Sequence, residues 1–242
     1  MAAVTMEAAV SADDLEIKLL HLAEVDSTNT YAKSHCRDLA DGTLVYADIQ
    51  TAGRGRLDRK WVSTPGNFFG TLLMKNLANP FLGTMVMSLG AMDVLQKLAP
   101  ELDVWLKWPN DIYLEDAKLA GILSESIELD NKRAIAVGLG VNLALSADDL
   151  ASVDKPAASV EKGKINPEKF ASELAKSAKM YYIIGMHCGE SLFALWRSRS
   201  DVIGMDLILE LGGGKQLAGT ACGIADDGAL ILRDREGKET SY

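Results

Sequence analysis

The sequence predicts an α+β fold: a mixed, largely antiparallel sheet with helices, followed by a small β module. Three observations carry that prediction. Strand-like runs follow one another from Val104 to Asn142 with only short turns between them. Parallel strands need long crossovers, so this spacing argues for antiparallel pairing and against a doubly wound sheet. Two segments, 84–99 and the stretch opening at Pro167, space their apolar residues as helices do. From about Val202 the pattern changes to short strands separated by glycine turns.

In chain order, residues 1–14 read as a loose tail and 16–23 as a short apolar strand. Asp26, Ser27, Thr28 and Asn29 are good N-cap residues, and a helix can follow over 31–39. Residues 43–50 carry the pattern of a mostly buried strand. Residues 51–67 are rich in Gly and Arg, have no period and read as a loop; 68–74 returns to strand. In the helix over 84–99, Val86, Leu89, Leu95 and Leu98 face the core. Strands follow at 104–108, 112–114, 119–128 and 134–142, with turns at 109–111, Glu115-Asp116 and Asp130-Asn131. Residues 147–166 form a polar connection. Pro167 suits a first helical turn, and Phe170, Leu174, Ala178, Tyr181 and Tyr182 make one apolar face. A short helix spans 192–196. Strands at 207–211, 216–224 and 229–232 are separated by Gly212-Gly213-Gly214 and Asp227-Gly228, with a further turn at Glu236-Gly237. The expected domains are 15–200 and a small β domain over 201–242, which stops within one more strand at Tyr242.

Bulk properties narrow the function. The 242 residues are 48% hydrophobic and 24% charged, as in ordinary globular proteins, and the net charge is -9. Duplex affinity comes from clustered Lys and Arg on phosphates, so an acidic chain is not expected to bind nucleic acid. No apolar run reaches the roughly 20 residues of a membrane span, and no signal peptide is evident. Cys36, Cys188 and Cys222 are scattered, without the spacing of a zinc or dithiol site, and are expected as free thiols in the cytoplasm. His21, His35 and His187 show no ligand spacing either.

Two stretches carry chemistry. In Gln50-Thr51-Ala52-Gly53-Arg54-Gly55-Arg56, Gly53 and Gly55 allow close backbone approach and expose amides to an anion. Arg54 and Arg56 can bind carboxylate or phosphate oxygens bidentately. The second stretch runs from Lys107-Trp108-Pro109-Asn110-Asp111 to Lys118-Leu119-Ala120-Gly121-Ile122-Leu123. Asn110 and Asp111 offer polar groups to a nucleotide or metal. Lys118 heads an apolar strand and can point its ammonium into a cleft. Gly121 leaves room for a flat ligand, or marks a bulge. Gly138 and Gly140 form a second glycine-rich strand end, too short for a dinucleotide fingerprint. No G-x-S-x-G or His–Asp-paired nucleophile is present, so positioning and charge stabilisation fit better than covalent catalysis.

In this order, with Ser27-Thr28-Asn29 upstream, the blocks resemble the catalytic domain of the biotin protein ligase family over roughly 24–142. The resemblance implies a class II synthetase-like fold with an SH3-like C-terminal module. It also implies a two-step reaction: biotin and ATP, with Mg²⁺, give biotinyl-5′-AMP, and a lysine of a biotin carboxyl carrier protein then takes the biotinyl group. It further implies that Ser27, Thr28, Asn29, Gln50, Gly53, Arg54, Gly55, Arg56, Lys118, Gly121 and Gly138 contact biotin. Arg54, Arg56, Trp61, Lys107, Asn110, Asp111 and Asn142 fall on the nucleotide side, with Lys118, Arg56 and Asp111 catalytic. The metal ligands are not specified by the resemblance. Family members are monomers or homodimers. Three departures stand out: Asp58 replaces a usual glycine, no helix-turn-helix domain precedes the catalytic blocks, and the C-terminal module is short. Repressor activity is therefore not expected. The rival readings are a lipoate or octanoate ligase or transferase of the same superfamily, and a non-catalytic biotin sensor.

Overall fold

A computed structural model describes residues 15–56, 59–77, 79–129, 132–153, 155–211, 216–225 and 227–242. The N-terminal tail, Asp58 and the turns expected at 130–131 and 212–214 lie outside them. The main sheet takes up β1 (Lys18–Val25), β2 (Thr43–Gln50), β3 (Phe68–Met74), β4 (Val104–Lys107), β5 (Asp111–Leu114), β6 (Ala117–Leu129) and β7 (Lys132–Val141). Their spatial order is β1-β2-β3-β7-β6-β5-β4. Only β1 and β2 pair in parallel; the remaining pairings in this sheet are antiparallel. The exception follows from the crossover between them, which carries helix α1 (Thr28–Ser34).

Alternation sorts the strands onto two faces. Phe68, Leu72, Val137, Leu139, Ala120 and Ile122 join the large core under α2 (Pro80–Leu98) and α4 (Pro167–His187). Val45, Leu73, Ala136 and Ile127 join a smaller core with Ala32 and Cys36 beneath α1. The helices α2 and α4 approach closely at Gly90, where an added Cβ would lie 3.3 Å from Leu174 Cδ1 and 3.4 Å from the Ala178 nitrogen. Phe170 of α4 packs against Phe68 of the sheet with its ring tilted by 49° and 4.8 Å between ring centres. Helix α5 (Gly189–Ser198) adds Trp196, whose Nε1 donates to Ser88 at 3.1 Å.

Several element boundaries differ from expectation, each for a physical reason. α1 begins at Thr28, not Tyr31, and ends at Ser34. The Ser27 side chain makes no cap bond; the free Thr28 N–H is taken instead by Gln50 Oε1 at 2.9 Å. At the other end, Ser34 and the His35 ring bond the carbonyls of Thr30 and Tyr31. α2 starts at Pro80, four residues early, because Asn79 caps it by accepting from the Phe81 N–H at 2.9 Å. The expected polar connection over 147–166 contains a short helix α3 (Ala147–Ala151), opened by a Ser146/Asp149 capping box. Downstream of α3 the connection is tied to the sheet: Ala157 bridges Lys118, and Val160 and Ile165 are buried.

A second, antiparallel sheet contains β8 (Asp206–Glu210), β9 (Gln216–Ile224), β10 (Leu230–Arg233) and β11 (Glu239–Ser241), in the order β11-β10-β9-β8. Its Asp227-Gly228 turn rests on the main sheet's loop. Trp108 Nε1 donates to the Gly228 carbonyl at 2.8 Å, and the Phe81 ring fills the place of a Gly228 Cβ. Gly228 also has φ +90°, a conformation that favours glycine. Among the described residues, no helix is long and apolar enough to cross a membrane.

Phe170 is fully buried between α4 and the sheet. Phe170→Ala is expected to cost about 3–5 kcal/mol, read as a lower urea midpoint at unchanged slope.

Candidate active site

The direction of Lys118 is set by a bulge. Alternation back from Ile122 and Ala120 would turn residue 118 into the large core. The β5–β6 register shifts instead: Ile112 pairs with Ala120, but Tyr113 pairs with Lys118, leaving Leu119 as an extra residue. Leu119 and Ala120 are both fully buried in the core. Lys118 therefore emerges on the α1 face, where its Nζ would lie 2.9 Å from a Cβ on Gly121. Its backbone is held by the connection: Lys118 N donates to the Pro156 carbonyl at 3.0 Å, and Ala158 N donates to the Lys118 carbonyl at 2.9 Å. The ammonium sits 2.6 Å from Asp111 Oδ1, which is buried and not at a hydrogen-bonding angle to it, so the two form a charge pair. Nζ also lies 5.3 Å from the centre of the Trp61 ring.

The floor of the site is glycine. Gly121 and Gly140 are cross-strand partners, and Gly138 faces Leu123 in the same ladder. Trp61 lies across the first two: an added Cβ on Gly140 would be 2.5 Å from its Cε2, and one on Gly121 would be 3.0 Å from its Cζ3. The Trp61 Nε1 is buried without a hydrogen-bond partner. Gly138 gives its space to the Asn29 side chain. The loop that brings Trp61 here is pinned on itself. Arg54 bridges Lys60, Trp61 N donates to the Gly53 carbonyl at 3.0 Å, and Gly55 N donates to the Arg59 carbonyl at 2.7 Å. A Cβ at Gly53 would run into Ser63 Oγ and the Trp61 carbonyl.

Ser27, Thr28 and Asn29 are all buried at the start of α1. The Thr28 hydroxyl donates to Gln50 Oε1 at 3.1 Å, and Gln50 Nε2 donates to Ser63 at 3.2 Å. The Thr71 hydroxyl sits 2.6 Å from Asn29 Oδ1 and 2.8 Å from Thr28 Oγ1, with one proton to serve them. Asn29 Nδ2 spends both protons, on the Leu123 carbonyl at 3.1 Å and on Glu125 Oε2 at 2.8 Å. Glu125 also accepts from Arg54 at 2.9 Å and from Lys33 at 2.8 Å. Burial pushes the Glu125 carboxyl up. The hydrogen bonds from Lys33 and Asn29 and the charges of Arg54 and Lys33 outweigh that and hold it below its ordinary value.

Arg54 lines two hollows. One, of about 590 Å³, includes Asp26, Thr30 and Lys33; the other, of about 480 Å³, includes Arg56, Phe81, Pro109, Asn110 and Glu125. In the second, Arg56 donates to Asn110 Oδ1 at 3.1 Å, while Asn110 Nδ2 donates to the Ile122 carbonyl. The structure thus gathers most of the residues singled out from the sequence on one face of the sheet. Two have structural partners of their own. Lys107 stands 4.2 Å from the centre of the Tyr113 ring. Asn142 Nδ2 bonds the carbonyls of Ala158 and Lys118, fastening the connection to the strands. Sequence reasoning missed Glu125, Lys33, Ser63 and Thr71. For Glu125 a signal existed, an acid within a mostly apolar strand on the side of Gly121 and Leu123.

The sequence profile of the biotin/lipoate A/B protein ligase family matches residues 22–142. A biotin–[acetyl-CoA-carboxylase] ligase of Paracoccus denitrificans is 35% identical over 230 residues, covering 90% of this chain and 95% of its own. Among solved structures, the biotin protein ligase of Aquifex aeolicus in complex with biotin and ATP superposes with a TM-score of 0.76 at 25% identity. It covers 93% of this chain and 96% of its own. The Leishmania major ligase in complex with biotinyl-5-AMP gives 0.63 at 25% identity, covering 93% and 98%.

Because Trp61 rests on bare backbone, Gly140→Ala is expected to displace its ring while the fold persists. A shift in intrinsic tryptophan fluorescence with an unchanged far-UV spectrum is the expected result, and Trp61→Phe should abolish that shift.

Proposed function

The chain belongs to the biotin/lipoate A/B protein ligase family, and from its likeness to the biotin ligases within that family we infer that it is a biotin protein ligase, an ATP-dependent enzyme that activates biotin. The observation that carries the reading at the level of chemistry is Lys118, delivered by a bulge onto a glycine floor beside Asp111 and Trp61. In the first step a biotin carboxylate oxygen bonds to the α-phosphorus of ATP and pyrophosphate leaves. Two unit charges about 4 Å apart repel by roughly 4 kcal/mol at an effective dielectric near 20. Lys118, Arg54 and Arg56 are the cations we assign to offset that repulsion. Lys118 bridges the carboxylate and the α-phosphate, while the two arginines reach from the loop above. Ser27, Thr28, Gln50 and the glycines shape the biotin end. Arg56, Asn110 and Asp111 form the nucleotide end.

Asn29 and Asn142 act by holding the frame, since their amide protons are already spent on protein acceptors. Mg²⁺ accompanies ATP in this reading. Asp111 would offer it a carboxylate beside the ATP phosphates. In the second step a lysine amine of a biotin carboxyl carrier protein attacks the acyl carbon, AMP leaves and the amine loses a proton. Until that amine arrives the loop with Trp61 must keep water from the anhydride.

Biotin-dependent exchange of labelled pyrophosphate into ATP tests the reading, with lipoate and octanoate run in parallel. Exchange with biotin alone is expected; exchange with lipoate instead would move the chain within its superfamily. Lys118→Ala should lower exchange by at least a hundredfold with the fold intact, and wild-type activity in that variant would remove the role given to it. Arg56→Gly should let the adenylate escape, seen as biotinylation of bystander lysines; tight retention would refute the loop assignment.

A further inference from the structure

We propose that Glu125 is the positioning residue of the biotin end, presetting Arg54 and Asn29 before the substrate carboxylate arrives; this rests on the ligase reading above. Its carboxylate is one-fifth exposed and binds three groups from two different elements. Arg54 comes from the loop, and Lys33 and Asn29 come from successive turns of α1. Arg54 is the side chain that borders both hollows. Its guanidinium has five donors. Anchoring one of them on Glu125 at 2.9 Å fixes the plane and leaves the rest for a second carboxylate.

Asn29 is fixed from both ends. Thr71 marks its oxygen, Glu125 and the Leu123 carbonyl mark its nitrogen, and Gly138 gives it room against the strand. Without Glu125 the amide loses an acceptor that distinguishes its two orientations. Lys33 and Arg54 would then stand as neighbouring like charges with no anion between them. Glu125 lines the second hollow beside Arg54 and Arg56, and as an anion it is assigned no contact with the reacting anions. It acts by orienting Arg54, as outer-shell partners orient ligands elsewhere, and by locking the frame that Asn29 holds.

The test is biotin affinity by calorimetry, together with the KM values for biotin and ATP in the exchange assay. Glu125→Gln keeps the shape and one acceptor but removes the charge; Glu125→Ala removes all three bonds. Biotin Kd and KM are expected to rise roughly ten- to a hundredfold, more for Ala than for Gln, a range typical of outer-shell partners. The KM for ATP should stay within about twofold, and thermal unfolding should remain cooperative above the assay temperature. Arg54→Ala combined with Glu125→Gln should cost less than the sum of the two, because both break one contact. Unchanged biotin affinity in both folded Glu125 variants would overturn the proposal. Equal losses toward biotin and ATP, or strict additivity with Arg54→Ala, would overturn it by reducing Glu125 to a structural role. A wild-type chain that neither binds biotin nor supports exchange would instead sink the ligase reading, and is measured first.

Discussion

The site depends on a patch of sheet that carries no side chains. Gly121 and Gly140 face one another across β6 and β7, with Gly138 two residues along. A sheet face is normally covered by its own side chains at every second position. Here three such positions are blank, so an indole and an asparagine amide come down onto backbone. Everything above is held relative to that plane. The loop brings Trp61, α1 brings Asn29 and the bulge brings Lys118. Because the opposite sides of these strands are packed into the large core, the plane is rigid where its upper surface is empty.

The site residues are organised by charge pairing as much as by shape. Lys118 is paired with Asp111, and Arg54 and Lys33 with Glu125; Arg56 is held by the neutral Asn110. A group of cations with no anions nearby would be costly to gather at the rim of a fold. With partners in place the cations are held at fixed positions and still outnumber the acids that hold them. An incoming pair of anions meets groups that are already oriented, which is the economy of preorganisation.

Much of this was legible in the sequence. Strands 43–50 and 68–74 stand at the expected residues, because a buried strand flanked by turn residues leaves few alternatives, and the half-exposed strand 216–224 does so between its glycine turns. The glycine–arginine loop and the KWPND-to-KLAGIL block identified the face, since few other uses exist for those residues in that order. Other features were not legible. α1 is capped by Gln50 from another strand, and no local pattern reports a partner 22 residues away. Lys107 and Asn142 sit in suggestive positions, yet Tyr113 and the 157–160 segment are their neighbours. Glu125 is legible only in part: alternation puts its acid on the face of Gly121 and Leu123, but does not say what stands above it.

The bulge at Leu119 has a consequence of a different kind. The heading of the lysine is written as a residue count between the turn and the glycine, not in the identity of any one side chain. Substitutions at Leu119 would alter packing and leave that count intact. Pairing that kept every residue but lost the bulge would restore strict alternation and aim an ammonium into hydrocarbon. A slip in the β5–β6 register is therefore a greater hazard to the site than an exchange of side chain at Leu119.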